Sequence, residues 1–147
     1  STPLYSSAAS DVYKRQPFVH IADPVVQAAQ AAGTLSVGLL GTAFTMEQAF
    51  LKGRLEDQGL KVLVPDAAQR QAVHRIIYEE LCVGVVSESS RRLYQHVIDG
   101  LQARGAEAII LGCTEIGLLL KPEHSALPLL DTTELHARAA VDFALLE

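Results

Sequence analysis

The clearest strand in the sequence is AEAIILGCT, residues 106–114. Its centre is a continuous apolar run without alternation, which is typical of a strand buried on both faces of a parallel sheet. Three shorter runs of the same kind are SVGLLGT at 36–42, KVLVP at 61–65 and LPLLDT at 127–132. The sequence therefore predicts four buried strands.

Helical patterns lie between these strands. The first helix runs through PVVQAAQAA, with Asp23 as its N-cap, Pro24 as its first residue and Gly33 as its stop. A capping box formed by Thr45 and Gln48 predicts the start of a second helix.

Three longer helices follow. Asp66 is the expected cap of a helix over 67–82, Ser87 begins the next one, and Thr133 opens a last helix over 134–146. Strands separated by helices of this length indicate βαβ units with right-handed crossovers. The predicted fold is α/β, a three-layer α/β/α arrangement of the flavodoxin-like type with a parallel sheet.

Composition limits the class of protein. The 147 residues are 49% hydrophobic, with a formal net charge of -5 and scattered Lys and Arg. This pattern argues against nucleic-acid binding, which needs clustered cations. The apolar runs are too short to span a bilayer, and no secretory signal is recognisable. We expect a cytoplasmic protein without nucleic-acid or membrane partners.

The first sixteen residues, STPLYSSAASDVYKRQ, show neither helical nor strand periodicity. They are predicted to be disordered. The string SSAASDVYKRQ also resembles a non-native sequence found at the ends of unrelated translated assemblies. We expect native sequence to begin near Pro17, with one folded unit over 17–147.

Ligands of open parallel sheets bind beyond the carboxyl ends of the strands. Those ends carry Thr42, Asp66, Cys113 and Asp131. A thiol at the start of the following helix has backbone N–H groups and a helix dipole available to lower its pKa, so Cys113 is a candidate base. The alternative is a small buried hydrophobe.

Other candidates have weaker support. Cys82 is predicted to pack at a helix end, and a catalytic role would require that end to reach the strand edge. The five histidines lack metal-binding spacing, so no metal site is expected, and His20 is assigned to a turn. The run 37–42 lacks both phosphate-loop patterns. Thr42 caps the turn after its strand or contacts a small anion such as a substrate carboxylate.

Five segments carry a family resemblance. They are HIAD (20–23), LLGTAFTME (39–47), PDAAQRQAVHRIIYEELCVG (65–84), IILGCTEIGLLL (109–120) and LPLLDTTELHARAAVDF (127–143). In unbroken order they resemble the second half of an aspartate/glutamate racemase family protein, closest to the branch of broad-specificity amino-acid racemases.

The resemblance implies two similar α/β domains facing each other across a cleft, with one catalytic cysteine from each and neither cofactor nor metal. Cys113 matches the second catalytic cysteine. Thr114 and Glu115 match neighbours that contact the α-amino or carboxylate group of an amino-acid substrate, and Thr42 borders the same pocket. The full-length protein is expected to be a homodimer.

The resemblance also implies that the first half, with the other cysteine, is absent. The polypeptide is then expected to be inactive alone and to expose an apolar face that favours self-association. The last helix is expected to pack toward the missing domain.

Two alternatives remain open. One is a non-catalytic ligand-binding or regulatory module, such as a receiver-like or sugar-binding domain. Asp66 and Asp131 stand at suitable strand ends for a receiver, but no accompanying acidic pair is present. The other is hydantoin racemase or maleate isomerase chemistry, which similar families perform with paired cysteines.

Overall fold

The computed structural model describes residues 20–146, so the segment 1–16 that was predicted to be disordered lies outside the described residues. The described elements are α1 (Ala22–Ala31), β1 (Ser36–Leu40), α2 (Ala43–Glu47), α3 (Ala49–Asp57), β2 (Lys61–Leu63), α4 (Ala67–Glu79), α5 (Glu88–Ala103), β3 (Ala108–Leu111), α6 (Ile116–Leu119), β4 (Leu129–Asp131) and α7 (Thr132–Leu146). Short 3-10 turns lie at Leu81–Val83 and Pro122–His124.

The four strands form one sheet in the order β2-β1-β3-β4. Every neighbouring pair is parallel, and Gly38 of β1 lies opposite Leu63 of β2 and Ile109 of β3. All four predicted strands are present, and the predicted parallel α/β sheet is confirmed. The carboxyl ends of β1, β3 and β4 therefore share one edge of the sheet.

Side chains alternate between the two faces of the sheet and build a separate core on each. On one face Ile109 and Leu111 pack with buried residues of α4, α5 and α6. On the other face Ala108 and Ile110 pack with buried residues of α1 and α3. Helices thus cover both faces, which gives the predicted three layers.

Helix α5 approaches the sheet closely because β1 has no side chain at Gly38. A Cβ there would lie 2.8 Å from Cδ1 of Ile109 and 2.9 Å from Cδ1 of Leu101. The missing side chain lets the apolar residues of α5 pack directly against β1.

Two helix caps were predicted correctly. The carboxylate of Asp66 accepts a hydrogen bond from the backbone N–H of Gln69 over 2.8 Å, and the hydroxyl of Ser87 accepts one from Ser90 over 3.1 Å. Each cap satisfies an amide that has no partner within its helix.

The start of α7 differs slightly from the prediction. The helix begins at Thr132 rather than after Thr133, because Asp131 caps it by accepting from the N–H of Glu134 over 3.0 Å. Helix α7 packs along α1. Its predicted contact with a missing domain stays a prediction.

The predicted cap of α1 is wrong. The helix begins at Ala22, and Asp23 lies inside its first turn, where its carboxylate accepts from the N–H of His20 over 3.2 Å. The ring Nδ1 of His20 accepts from the N–H of Ala22 over 3.0 Å. His20 thus has the structural role in the turn that the sequence indicated.

The predicted capping box at Thr45 is also wrong. Thr42 is the cap: its Oγ1 accepts from the N–H of Thr45 over 3.4 Å and begins the short helix α2. The backbone then turns to an extended conformation at Gln48, where α3 starts. Two short helices therefore replace the single helix that was expected.

Candidate active site

The carboxyl ends of three strands are tied together by hydrogen bonds. The N–H of Gly112 donates to the carbonyl of Leu40 over 2.8 Å, which extends the pairing of β1 and β3. The hydroxyl of Thr132 is buried and donates to the carbonyl of Leu111 over 3.0 Å, which joins β4 to β3. The backbone that carries Cys113 is therefore fixed on both sides.

Cys113 lies at this edge and is half-buried. Its Sγ donates a hydrogen bond to Oε1 of Glu115 over 2.9 Å. Its carbonyl accepts from the N–H of Ile116, the first residue of α6. The structure thus brings together the predicted thiol and one of its predicted neighbours.

The predicted lowering of the Cys113 pKa is wrong. Burial, the hydrogen bond to Glu115 and the charge of that carboxylate together raise the pKa of this thiol to about 12, with burial the largest cause. The following helix is only four residues long, and a dipole of that length offers little compensation. At neutral pH the thiol is protonated. The pKa of Glu115 is lowered, because the thiol stabilises its carboxylate by donating to it.

The two threonines predicted to contact substrate lie at the same edge. Oγ1 of Thr114 is 3.0 Å from Oγ1 of Thr133, so it joins the Cys113 turn to the first turn of α7. Oγ1 of Thr42 caps α2 and lies 3.2 Å from Oγ1 of Thr45. Capping is thus the observed role of Thr42, and substrate contact by either residue stays a prediction.

Cys82 is exposed, so the prediction that it packs at a helix end is wrong. Helix α4 ends at Glu79 rather than continuing to 82, and the chain enters the 3-10 turn Leu81–Val83. Leu81 is the buried member of this turn. The turn packs against α6, and the charge of an ionised Cys82 contributes to the raised pKa of Cys113.

A buried tyrosine lies behind the site. Tyr94 of α5 is fully buried, and its hydroxyl donates to the carbonyl of Val73 over 2.8 Å. Tyr94 belongs to the core cluster against which Cys113 packs. Burial raises the pKa of Tyr94, and the charge of a Cys113 thiolate raises it further. Its position within an apolar helical stripe gave no sign of this proximity.

A small cavity at the carboxyl edge of the sheet was not predicted. It has a volume of about 140 Å³. It is lined by Ile21, Phe44, Thr45, Phe50, Leu51, Gly112 and Thr132. Four segments distant in sequence meet there, so no local pattern in the sequence indicated it.

Two further observations concern the described residues only. Within 20–146, histidine, cysteine, aspartate and glutamate side chains form no cluster that would hold a metal ion. None of the helices described is both long and apolar enough to cross a membrane.

Several solved structures are similar to this chain. A Yersinia pestis protein assigned to the Asp/Glu racemases is 51% identical, with a TM-score of 0.83 over 86% of this chain and 55% of its own. An aspartate racemase homologue from Pyrococcus horikoshii is 31% identical, with a TM-score of 0.82 over 97% of this chain and 63% of its own. The Picrophilus torridus aspartate racemase, 21% identical with a TM-score of 0.64, shares the fold.

This chain covers a larger share of one curated relative than of these solved structures. An uncharacterised protein from Pectobacterium carotovorum is 34% identical over 122 residues, which are 82% of this chain and 80% of that protein. By contrast, this chain spans 55% and 63% of the Yersinia and Pyrococcus chains. The Asp/Glu/Hydantoin racemase family profile matches residues 4–140. With that match over most of its length, the chain belongs to the Asp/Glu/Hydantoin racemase family.

Proposed function

We propose that this chain supplies one acid-base face of a cofactor-independent amino-acid racemase, with Cys113 as its proton-transferring thiol. The observation that carries the proposal is a half-buried thiol at the carboxyl edge of the sheet, which donates a hydrogen bond to Oε1 of Glu115 over 2.9 Å. Ligands of parallel α/β sheets bind at this edge.

Inversion of a stereocentre needs a base on one face of Cα and an acid on the other. Because its pKa is about 12, Cys113 holds a proton at neutral pH and is ready to act as the acid. An opposing base removes the α-proton, and the carbanion takes the proton of the Cys113 thiol on its other face. In the reverse direction the Cys113 thiolate accepts the α-proton.

The reverse direction requires a lower pKa at Cys113, and binding of the substrate would lower it. An α-ammonium group paired with Glu115 would neutralise the carboxylate that raises the thiol pKa. We therefore assign Glu115 to the substrate ammonium. Thr114 and Thr42 are assigned to the substrate carboxylate, where hydroxyl and backbone N–H donors stabilise the charge that develops on the carbanion.

The opposing acid-base group is proposed to come from outside residues 20–146. Two observations support this: the chain spans 55% of the similar Yersinia protein, and Cys113 faces an edge with no second half-buried thiol among the described residues. We expect the 147-residue chain alone to be inactive or nearly so. A homodimer of the full-length protein and a cytoplasmic location stay predictions.

Hydrogen exchange at Cα tests the proposal. Aspartate, glutamate and homoserine are incubated in D2O with the chain alone and with a protein in which an upstream half is restored. We expect racemisation with deuterium at Cα only from the restored protein, lost in Cys113→Ala and kept in Cys82→Ser. Deuterium incorporation that survives Cys113→Ala would overturn the assignment.

The family description also includes hydantoin racemases, which favours a second candidate substrate class. A hydantoin carries no α-ammonium group, so its turnover gains nothing from an ion pair with Glu115. Glu115→Gln therefore separates the two. A large loss of amino-acid racemisation supports the first candidate, and unchanged turnover of a hydantoin supports the second.

A further inference from the structure

A second cavity lies beside the edge strand β2, which β1 separates from β3 and its Cys113 turn. It has a volume of about 530 Å³. Its lining comes from the connection after β2, the first turn of α4 and the end of α5: Val64, Pro65, Asp66, Gln69, Arg70, Gly100 and Arg104. Since small-molecule sites usually have volumes of about 300–1,000 Å³, the cavity is large enough for a small organic ligand.

Two arginines of the lining are held in place by the backbone. Nη1 of Arg104 donates to the carbonyl of Val64 over 2.8 Å, and Nη1 of Arg70 donates to the carbonyl of Pro65 over 2.6 Å. Because the two acceptors belong to adjacent residues, both guanidinium groups are fixed against the same stretch of chain. Side chains that are already ordered lose little conformational freedom when a ligand binds.

These guanidinium groups keep donors for a ligand. Each carries five N–H groups. Arg104 forms no ion pair with a carboxylate of residues 20–146. Arg70 also donates through Nε to Glu47 over 3.1 Å, which leaves its Nη2 group out of both bonds. The positive charge of Arg104 is therefore without a carboxylate partner in the described structure, and the pair is suited to an anion with several acceptor oxygens.

The lining also contains groups of the opposite polarity. Oδ1 of Asp66 accepts the capping hydrogen bond from the N–H of Gln69, and Oδ2 takes no part in that bond. The side-chain amide of Gln69 adds a further donor and acceptor. A carboxylate repels a bare anion but accepts readily from hydroxyl groups. The cavity is therefore complementary to a molecule with an anionic group at one end and hydroxyl groups at the other.

We propose that this cavity binds a small phosphate ester that carries hydroxyl groups, such as a sugar phosphate. The phosphate lies against Arg70 and Arg104, because the planar guanidinium group matches phosphate oxygens in a bidentate manner. The hydroxyl groups lie against Asp66 and Gln69. This site shares no lining residue with the one at Cys113, and the proposal does not depend on the racemase function.

Calorimetric titration of the 147-residue chain tests the site. The probes are ribose 5-phosphate and, separately, ribose. We expect saturable binding of ribose 5-phosphate and none of ribose. Arg70→Gln and Arg104→Gln should each raise the Kd at least about tenfold, because each removes charge-assisted hydrogen bonds to the phosphate. No saturable binding of ribose 5-phosphate at millimolar concentration, or equal binding of ribose, would overturn the proposal.

The matched controls are Arg75→Gln on α4 and Arg92→Gln on α5. Each removes the same charge from the same helix as its counterpart, at an exposed position outside the cavity lining. Both controls should keep the Kd of the wild type to within about twofold, since the protein keeps its charges inside the cavity. Equal weakening in the control and cavity variants would reveal general attraction of anions and overturn the proposal.

A second variant fills the cavity without changing its charge. A Cβ at Gly100 would have no atom within 4 Å, so a larger side chain there enters open space at the cavity wall. We expect Gly100→Trp to abolish binding of ribose 5-phosphate while circular dichroism shows an unchanged helix content. Full binding by a folded Gly100→Trp variant would place the ligand elsewhere and overturn the proposal.

Discussion

The Sγ of Cys113 donates a hydrogen bond to Oε1 of Glu115, two residues further along the chain, over 2.9 Å. The carboxylate is thereby both the acceptor of the thiol proton and a negative charge that opposes formation of the thiolate. The reactivity of this cysteine therefore depends on burial, the larger cause of its raised pKa, and on the state of this neighbouring carboxylate.

Replacing that carboxylate should make the thiol more reactive. In Glu115→Gln the negative charge is gone, so the pKa of Cys113 falls and the thiolate fraction at pH 9 rises, about tenfold for each unit of pKa. The measurement is the rate of iodoacetamide alkylation against pH in a Cys82→Ser background, where Cys113 is the one remaining cysteine. Glu56→Gln, an exposed carboxylate on α3, is the control. An identical pH profile in Glu115→Gln would contradict the prediction.

Acid should weaken the fold partly through Glu107. Its Oε1 accepts from the N–H groups of Leu35 and Ser36 over 2.8 and 3.0 Å, and these bonds lower its pKa below 4.5. A carboxyl group whose pKa is lower in the folded state stabilises the protein at pH values above its unfolded-state pKa. This stabilisation is lost as the pH falls through the folded-state pKa. We expect Glu107→Gln to lose less stability than the wild type between pH 7 and pH 3, measured by urea unfolding.

The same comparison in Glu56→Gln should match the wild type, because Glu56 is exposed on α3. Equal acid sensitivity of Glu107→Gln and wild type would show that the two amide contacts do not form in solution.

Tyr94→Phe should destabilise the chain. The change removes a buried hydroxyl that donates to the carbonyl of Val73 over 2.8 Å. A hydrogen bond of this kind contributes about 1 kcal/mol to the free energy of unfolding. Urea unfolding measures the loss, and Tyr78→Phe, at an exposed position, should show almost none. Equal effects of the two changes would contradict a specific role for the Tyr94 hydroxyl.

Adding a methyl group at Gly112 should disturb the site. A Cβ there would lie 2.9 Å from Cγ2 of Thr45 and 3.2 Å from the carbonyl oxygen of Leu40, and a backbone atom cannot move aside easily. We expect Gly112→Ala to cost about 1–3 kcal/mol. Gly100→Ala is a control with the opposite expected effect. Gly100 lies within α5 with open space around it, so an alanine there should stabilise the protein by about 0.5–1 kcal/mol. Thermal unfolding of both variants shows whether each change destabilises or stabilises the protein.

Much of the fold could be predicted because it depends on local pattern. The continuous apolar run before Cys113 identified a doubly buried strand, and Asp66 and Ser87 were recognised as caps because their hydrogen bonds reach only three residues along the chain. The position of Cys113 at the strand edge followed from the same alternation of strands and helices.

The features that were missed depend on burial and on local geometry that sequence pattern does not reveal. The break at Gln48 divides what local pattern suggested was one helix. The pKa of Cys113 was predicted in the wrong direction, because burial and the side chain of Glu115 outweigh any helix dipole. Cys82 was predicted to pack at a helix end, but the turn that carries it buries Leu81 and leaves Cys82 exposed.

The exposure of Cys82 makes it a convenient attachment point. A maleimide dye should modify this thiol well before Cys113, since Cys113 is half-buried and its pKa is about 12. The labelled turn packs against α6, which directly follows the Cys113 turn. Fluorescence from that position would then report the arrival of a small molecule or of another polypeptide at the strand edge, while the thiol assigned to proton transfer stays unmodified.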